Sequence, residues 1–267
     1  MSAFTDRMRA IRSAPTGGKK VAALFDYDGT LIEGGFSAAA IMRARVRSME
    51  FGLGELADFL LIGLRGGVVS EQDYAEVLAA TRPTFAGKTY AELIAFGEHL
   101  FKYETAAKLR PPQMWQILRA IARWGHTIVI ASSATRFQIE PIAREIGADF
   151  ALATDVEVVD GVVTGNIKGR PLWGPGKAAA VRELARANDI DLDASFAYSD
   201  GNEDIPPYLE SVGNPAAISP RRILRAEAES RGWPIIDLKN PPTYNRLGDA
   251  GPDRRLLRVV HRLGRSR

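Results

Sequence analysis

The sequence predicts an α/β fold, a doubly wound parallel sheet interrupted once by a helical insertion. Three observations support this class. Short apolar segments alternate with helix-like segments over residues 109–237, the pattern of strands linked by crossover helices. Lys20–Phe25 is almost entirely apolar, as expected for a central strand buried on both faces. Residues 34–108 are rich in Ala, Leu, Met, Glu and Arg and contain few β-branched runs, which predicts helices.

The elements after the insertion follow in a regular order. Arg110-Pro111-Pro112 ends the insertion, and the amphipathic segment Gln113–Trp124 predicts a helix before the strand Thr127–Ala131. Two pairs of Val flank Asp160-Gly161, which is typical of a tight β-hairpin. The other predicted elements are, in chain order, helix 136–146, strand 150–153, helix 177–187, strand 196–198, strand 216–218, helix 221–231 and strand 234–236.

The composition excludes several classes of protein. The chain has 267 residues, of which 46% are hydrophobic and 25% are charged, so a disordered or collagen-like protein is excluded. It contains no Cys, which excludes disulfides, zinc sites built on Cys and thiol nucleophiles. No apolar run approaches the ~18 residues of a membrane span, and no apolar stretch of a secretory signal follows the basic N-terminus. We expect a cytoplasmic protein.

Charge divides the chain into an acidic body and two basic ends. Residues 1–20 contain five Lys or Arg and one Asp, and residues 252–267 contain six Arg and one Asp. Because the whole chain has a net charge of +3, residues 21–251 carry a net charge of −6. We interpret 1–19 and 238–267 as basic tails, so the positive total does not indicate a nucleic acid partner.

Polar residues follow several of the predicted strands. Asp26, Asp28 and Thr30 come directly after the first strand, and Ser132 follows the second. Lys177 begins a helix, and a run from Asp200 to Asp204 follows the strand ending at Tyr198. Ligands of doubly wound sheets bind beyond the carboxyl ends of the strands, so we expect these side chains to converge on one crevice.

The residue types in this crevice suit a phosphate and a hard cation. Closely packed carboxylates repel one another unless a cation neutralises them, and a set of oxygen ligands favours Mg²⁺. An ammonium and a hydroxyl beside that cation make a site for a phosphate dianion. Asp26 and Asp28 would face opposite sides of an extended strand, so both can point at one substrate only from a turn beyond the strand.

These residues resemble the signature of a known family. DYDGT at 26–30 resembles the DxDxT motif of the haloacid dehalogenase (HAD) superfamily, and Ser132, Lys177, Asp200 and Asp204 follow in the family's order. The resemblance extends over 20–33 and 109–237 and implies a Rossmann-like catalytic core, with 34–108 as an inserted helical cap domain. FQIEP and YSDGNEDIP resemble the type IB hydrolases of the phosphoserine phosphatase-like subgroup.

The resemblance implies a two-step phosphoryl transfer. Asp26 would be the nucleophile that forms an aspartyl-phosphate, and Asp28 would protonate the leaving oxygen and then activate water. Thr30, Ser132 and Lys177 would bind the substrate phosphate. The implied reaction is phosphatase chemistry on a small phosphorylated metabolite.

The resemblance also implies a magnesium site. The Asp26 carboxylate, the Asp28 main-chain carbonyl and Asp200 would bind Mg²⁺. Asp204 would act one step removed, by holding Lys177 or a water on the metal.

Two positions depart from the phosphoserine phosphatase pattern. Glu203 stands where those enzymes usually have an Asn that contacts phosphate, and Gly35 stands where they have a Glu that grips the substrate amine. The second departure argues against phosphoserine as the substrate.

Three alternatives stay open at this point. A phosphotransferase or mutase would use the same aspartyl-phosphate and differ only in the acceptor. A non-catalytic phosphate-binding module docked on a membrane would fit the basic ends. The C-terminal tail, in which Leu and Val interleave with Arg, would make a weak contact with a membrane surface or a protein, or remain solvated.

Overall fold

The computed structural model describes residues 2–15, 17–33, 40–41, 43, 74, 82, 85–109, 112–205 and 207–238. Within this part of the chain six strands form one parallel sheet, in the order β3-β2-β1-β6-β7-β8. These strands are β1 (Ala22–Phe25), β2 (Thr127–Thr135), β3 (Phe150–Thr154), β6 (Phe196–Ser199), β7 (Asn214–Ile218) and β8 (Ile235–Ile236). A separate antiparallel hairpin pairs β4 (Val156–Val159) with β5 (Val162–Ile167).

Helices cover both faces of the sheet. The described α-helices are α1 (Ala3–Ser13), α2 (Tyr90–Leu100), α3 (Pro112–Arg123), α4 (Arg136–Ile146), α5 (Pro175–Asn188) and α6 (Arg222–Arg231). One turn of π-helix, Phe101–Thr105, and one of 3-10 helix, Ala106–Lys108, continue α2. The doubly wound parallel sheet predicted from the sequence is therefore confirmed.

Strand β1 is apolar along its whole length because both of its faces are buried. Ala23 and Phe25 pack into the cluster formed with α1, α3 and α4, whereas Ala22 and Leu24 pack into the cluster formed with α5 and α6. Successive side chains of a strand point to opposite faces, and here both faces are buried. The predicted limits of the elements 109–237 agree with the structure to within a few residues, apart from a longer β2 and a longer hairpin.

The N-terminal segment differs from its predicted form as a tail. Residues Ala3–Ser13 form α1, and Phe4, Arg7 and Ile11 are buried against the sheet and α3. Ser2 caps the helix by accepting a hydrogen bond from the Thr5 N–H. The sequence pattern did not indicate this helix because Arg7 lies between Phe4 and Ile11 on its buried face, where an apolar residue is expected.

The described residues of the predicted cap pack on the hairpin and on α4. Phe85, Leu93 and Leu100 form a cluster with Phe137 of α4 and with Val163 of β5. The chain leaves the core after Glu33 and returns to it at Lys108. The Glu33 N–H donates to the Lys108 carbonyl at 2.5 Å, so these two positions are paired. The rest of the predicted cap, and residues 239–267 of the predicted C-terminal tail, lie outside the described residues. No helix in the described part of the chain is both long enough and apolar enough to cross a membrane.

Candidate active site

The crevice lies where the strand order reverses, between β1 and β6. β1 ends at Phe25, so Asp26 and Asp28 lie beyond the strand in the turn that follows it. The Asp26 N–H donates to the Tyr198 carbonyl of β6 at 2.9 Å, which ties this turn to the neighbouring strand. Asp200 follows the end of β6, and the side chains of Asp26 and Asp200 are buried. This is the position at which doubly wound sheets bind their ligands.

Lys177 joins two carboxylates in the crevice. It lies in the first turn of α5 and is only 2% exposed. Its Nζ donates to Asp26 Oδ1 at 2.8 Å and to Asp204 Oδ2 at 2.7 Å. Burial alone would lower the pKa of Lys177, but the carboxylates of Asp204 and Asp26 raise it. The lysine is therefore held as an ammonium ion between two acids.

Two residues that the sequence did not assign support this ion pair. The Ser199 hydroxyl donates to Asp204 Oδ2 at 2.7 Å and accepts from the Gly201 N–H at 3.1 Å. The Tyr208 ring lies under the ammonium, with Lys177 Nζ 4.2 Å from the ring centroid. Ser199 stands beside Asp200, so its position offered a signal, whereas nothing local in the sequence marks Tyr208.

Gly29 allows the first turn to approach Asp200. Its φ is +72°, a conformation that glycine adopts at no steric cost. A Cβ at this position would overlap the Asp200 carboxylate. The main chain of the Asp28-Gly29 segment therefore lies directly against Asp200.

The two predicted hydroxyl groups lie at the same edge of the sheet. Ser132 falls where the pairing of β2 with β3 shifts register between Ala131 and Thr135. Its buried Oγ accepts from the Ala134 N–H at 3.1 Å, which leaves the hydroxyl proton available to a ligand. Thr30 is fully buried, and its hydroxyl makes no hydrogen bond within the described part of the chain.

Comparisons with known proteins decide the family. The family model of the haloacid dehalogenase-like hydrolases matches residues 23–207. The chain belongs to this family. It is 33% identical over 234 residues to phosphoserine phosphatase SerB1 of Mycobacterium tuberculosis, covering 85% of this chain and 74% of that protein.

Two solved structures of similar fold agree. A protein of unknown function from Bordetella pertussis Tohama I has a TM-score of 0.71 and 29% identity, covering 82% of this chain and 99% of the other. A phospho-aspartyl intermediate analogue of phosphoserine phosphatase has a TM-score of 0.60 and 20% identity, covering 84% and 96%, and supports the fold alone. The predicted HAD family and the predicted enzyme class, a HAD-type phosphatase, are confirmed.

One departure from the HAD phosphatase pattern has a structural explanation. The Asn202 side chain accepts from the Leu224 N–H at 2.9 Å, so it satisfies a donor in the first turn of α6 and does not face the crevice. Glu203 is partly buried, and burial followed by the nearby Asp204 raises the pKa of its carboxyl. Glu203 therefore adds a further carboxyl group to the loop that carries Asp200 and Asp204.

The buried charges of the HAD site suit a bound cation. The carboxylates of Asp26 and Asp204 share the Lys177 ammonium, whereas the Arg221 Nε lies 3.7 Å from the Asp200 carboxylate in a half-exposed side chain. Burial, opposed by Lys177, raises the pKa of Asp26, and burial raises the pKa of Asp200 to about 7. Burial therefore disfavours the ionised forms of these two carboxylates, and a cation bound beside them would favour those forms.

The donor set fits Mg²⁺ in chemistry. Among the described residues no group of three or more His, Asp or Glu side chains could hold a metal ion by itself. The predicted ligands are of another kind, two carboxylates and the main-chain carbonyl of Asp28. They are hard oxygen donors, and the contact between Gly29 and Asp200 brings the carbonyl's peptide unit beside one of the carboxylates.

Proposed function

We propose that this HAD hydrolase is a Mg²⁺-dependent phosphatase that hydrolyses a small phosphomonoester through an aspartyl-phosphate. The observation that carries the proposal is the buried Asp26–Lys177–Asp204 arrangement at the carboxyl end of the sheet. It supplies an oriented carboxylate nucleophile beside a fixed positive charge, which phosphoryl transfer to a carboxylate needs.

Asp26 and Asp28 perform the covalent chemistry. Lys177 binds Asp26 Oδ1, so we assign Asp26 Oδ2 as the attacking atom. The bond from Oδ2 to phosphorus forms as the bond to the leaving oxygen breaks, and Asp28 gives its proton to that oxygen. Asp28 then takes a proton from water, whose oxygen attacks phosphorus, and the bond from phosphorus to Asp26 breaks to release phosphate.

The other residues bind and orient the phosphoryl group. Lys177 neutralises charge on the transferred phosphoryl oxygens, while Asp204 and Tyr208 keep its ammonium in place. Ser132 and Thr30 donate their hydroxyl protons to phosphoryl oxygens. The Asp26 carboxylate, the Asp28 carbonyl and Asp200 would hold Mg²⁺, which when bound neutralises the charge shared by these acids and the phosphate.

The substrate is a small phosphorylated metabolite. A relative is named phosphoserine phosphatase, but Gly35 stands where those enzymes carry the Glu that grips the amine, so we place phosphoserine among the poorer substrates. Gly35 lies outside the described residues. The cytoplasmic location and the contacts of the basic C-terminal tail stay predictions from the sequence.

Turnover of p-nitrophenyl phosphate with Mg²⁺ tests this function. We expect release of inorganic phosphate by the full chain, and loss of at least about 10³-fold in kcat/KM for Asp26→Asn, which lacks the nucleophile. Asp193→Asn, at an exposed aspartate, is the matched control and should keep full activity. Full activity in Asp26→Asn would overturn the assignment.

The same assay separates the alternatives. Transfer of the phosphoryl group to an added alcohol, in place of phosphate release, would identify a phosphotransferase. No turnover across a panel of phosphoesters, with Mg²⁺ still bound, would identify a non-catalytic phosphate-binding module. The panel should include phosphoserine, glycerol phosphates and lysophospholipids.

A further inference from the structure

Tyr74 joins the predicted cap segment to the catalytic core. Its side chain is 4% exposed and stacks on Trp173, with ring centroids 4.7 Å apart and an angle of 15° between the ring planes. Ile167 at the end of β5 packs against the same pair. Trp173 lies on the loop that leads into α5, four residues before Lys177. The aromatic pair therefore connects Tyr74 to the loop that precedes the site lysine.

The Tyr74 hydroxyl reaches a second loop of the site. It donates to the Ser133 carbonyl, and that carbonyl also accepts from the Thr154 hydroxyl at 2.6 Å. Thr154 Oγ1 in turn accepts from the Leu172 N–H at 3.2 Å. This chain of hydrogen bonds runs from the residue after Ser132 to the residue before Trp173. Burial raises the pKa of Tyr74, so its hydroxyl stays protonated and keeps donating.

Neither loop can shift freely under this contact. The Gly176 N–H donates to the Trp173 carbonyl at 2.9 Å, and a Cβ at Gly176 would overlap the Pro171 carbonyl. The loop is therefore packed tightly against the start of α5, and a displacement of Trp173 would move Lys177. Ser133 directly follows Ser132 in the chain. The hydroxyls of Tyr74 and Thr154, which both donate to the Ser133 carbonyl, therefore fix the main chain beside Ser132 as well.

We propose that Tyr74 is a positioning residue that sets Ser132 and Lys177 together for the substrate phosphate, through the Ser133 carbonyl and the Trp173 ring. The inference rests on the proposed function, because it assigns phosphate binding to those two residues. Tyr74 itself touches neither the reacting atoms nor the phosphate ligands. It acts through two contacts that differ in kind, and these can be removed separately.

Three variants separate the contacts. Tyr74→Phe keeps the ring stack and removes the hydrogen bond, Tyr74→Leu removes both, and Trp173→Phe alters the stack from the other side. Tyr90→Phe is the matched control, since Tyr90 lies in the same predicted cap segment and its side chain is exposed. Each is assayed for kcat and KM with p-nitrophenyl phosphate and Mg²⁺, for the inhibition constant of inorganic phosphate, and for its urea unfolding midpoint.

We expect the affinity for inorganic phosphate and kcat/KM to fall together. The expected loss is about tenfold in Tyr74→Phe, the worth of one hydrogen bond, and about a hundredfold in Tyr74→Leu. Tyr90→Phe should match the wild type. A loss of phosphate affinity in Tyr74→Phe, measured below its unfolding transition and smaller than the loss in Tyr74→Leu, is the signature of positioning. A lowered midpoint with wild-type phosphate affinity in Tyr74→Phe would show a purely structural contact and overturn the inference.

Direct binding distinguishes this failure from failure of the proposed function. Phosphate is titrated in the presence of Mg²⁺ while tryptophan fluorescence is followed, with Trp173→Phe identifying the part of the signal that comes from Trp173. Tyr74-dependent phosphate binding without turnover would retain the inference and reject hydrolysis. Wild-type turnover with unchanged phosphate affinity in both Tyr74 variants would retain hydrolysis and reject the inference.

Discussion

Two regions of the molecule bury a basic side chain in opposite ways. At the carboxyl end of the sheet, Lys177 lies between the carboxylates of Asp26 and Asp204. On the face covered by α1, Arg7 donates to the carbonyls of Asn214 and Pro215 at 2.9 and 2.6 Å. The Arg7 guanidinium also lies over the Phe196 and Tyr198 rings, 5.3 and 5.4 Å from their centroids.

The difference separates a chemical role from a structural one. Neutral carbonyls and aromatic faces hold the Arg7 guanidinium, and the side chain is buried, so it fastens α1 to the core and is not accessible to a ligand. Lys177 lies between two carboxylates, and Asp200 lies in the same crevice, so the acids outnumber the ammonium. In the proposed function Mg²⁺ would supply the missing positive charge. A buried cation among surplus carboxylates indicates chemistry, whereas one among carbonyls indicates packing.

Removing the ammonium tests the first half of the comparison and has the largest expected effect. Lys177→Met keeps the length of the side chain and removes the charge beside Asp26. We expect kcat/KM for p-nitrophenyl phosphate to fall by about 10²–10³-fold, the usual worth of one electrostatic donor to a transition state. Lys168→Met, at an exposed lysine, is the control and should not change it. Activity within twofold of wild type in Lys177→Met would contradict the role of Lys177.

Removing the guanidinium tests the second half. Arg7→Met leaves two buried carbonyls without their charged donor, so we expect the free energy of unfolding to fall by about 2–4 kcal/mol in urea titrations. Below the unfolding transition kcat/KM should equal that of the wild type. Arg9→Met on the exposed side of α1 should change stability by less than about 1 kcal/mol. A loss of turnover in folded Arg7→Met would contradict a purely structural role for Arg7.

Added Mg²⁺ should distinguish the regions without any turnover. At a concentration 100 times its dissociation constant, a bound ion stabilises the folded state by about 2.7 kcal/mol, which raises the thermal midpoint by about 5–10 °C. We expect this rise in the wild type and in Arg7→Met, and its loss in Asp200→Asn. An equal rise in all three proteins would place the cation away from the crevice.

The same contrast explains what the sequence could predict. The parallel sheet, its strand limits, the loops after strands that carry Asp26 and Asp204, and the helix start that carries Lys177 follow from local patterns of apolar and polar residues. α1 escaped prediction because Arg7 stands in its apolar stripe of Phe4 and Ile11, so charge concealed the periodicity.

Contacts between distant segments left no local mark in the sequence. Tyr208 meets Lys177 only because a loop after β6 returns under α5, and Tyr74 meets Trp173 across 99 positions of the chain. The sequence therefore suggests candidate groups for the chemistry, but it does not indicate which groups hold them in place.

The smallest expected effect concerns Asn202, which lies in the acidic loop but belongs with the structural contacts. Its side chain accepts from the Leu224 N–H, so Asn202→Ala leaves a helix donor unsatisfied and should lower the free energy of unfolding by about 1 kcal/mol. Because the side chain points to α6, the inhibition constant of inorganic phosphate should stay at the wild-type value. A marked rise in that constant would assign Asn202 to the phosphate site and show that its contact with α6 is not purely structural.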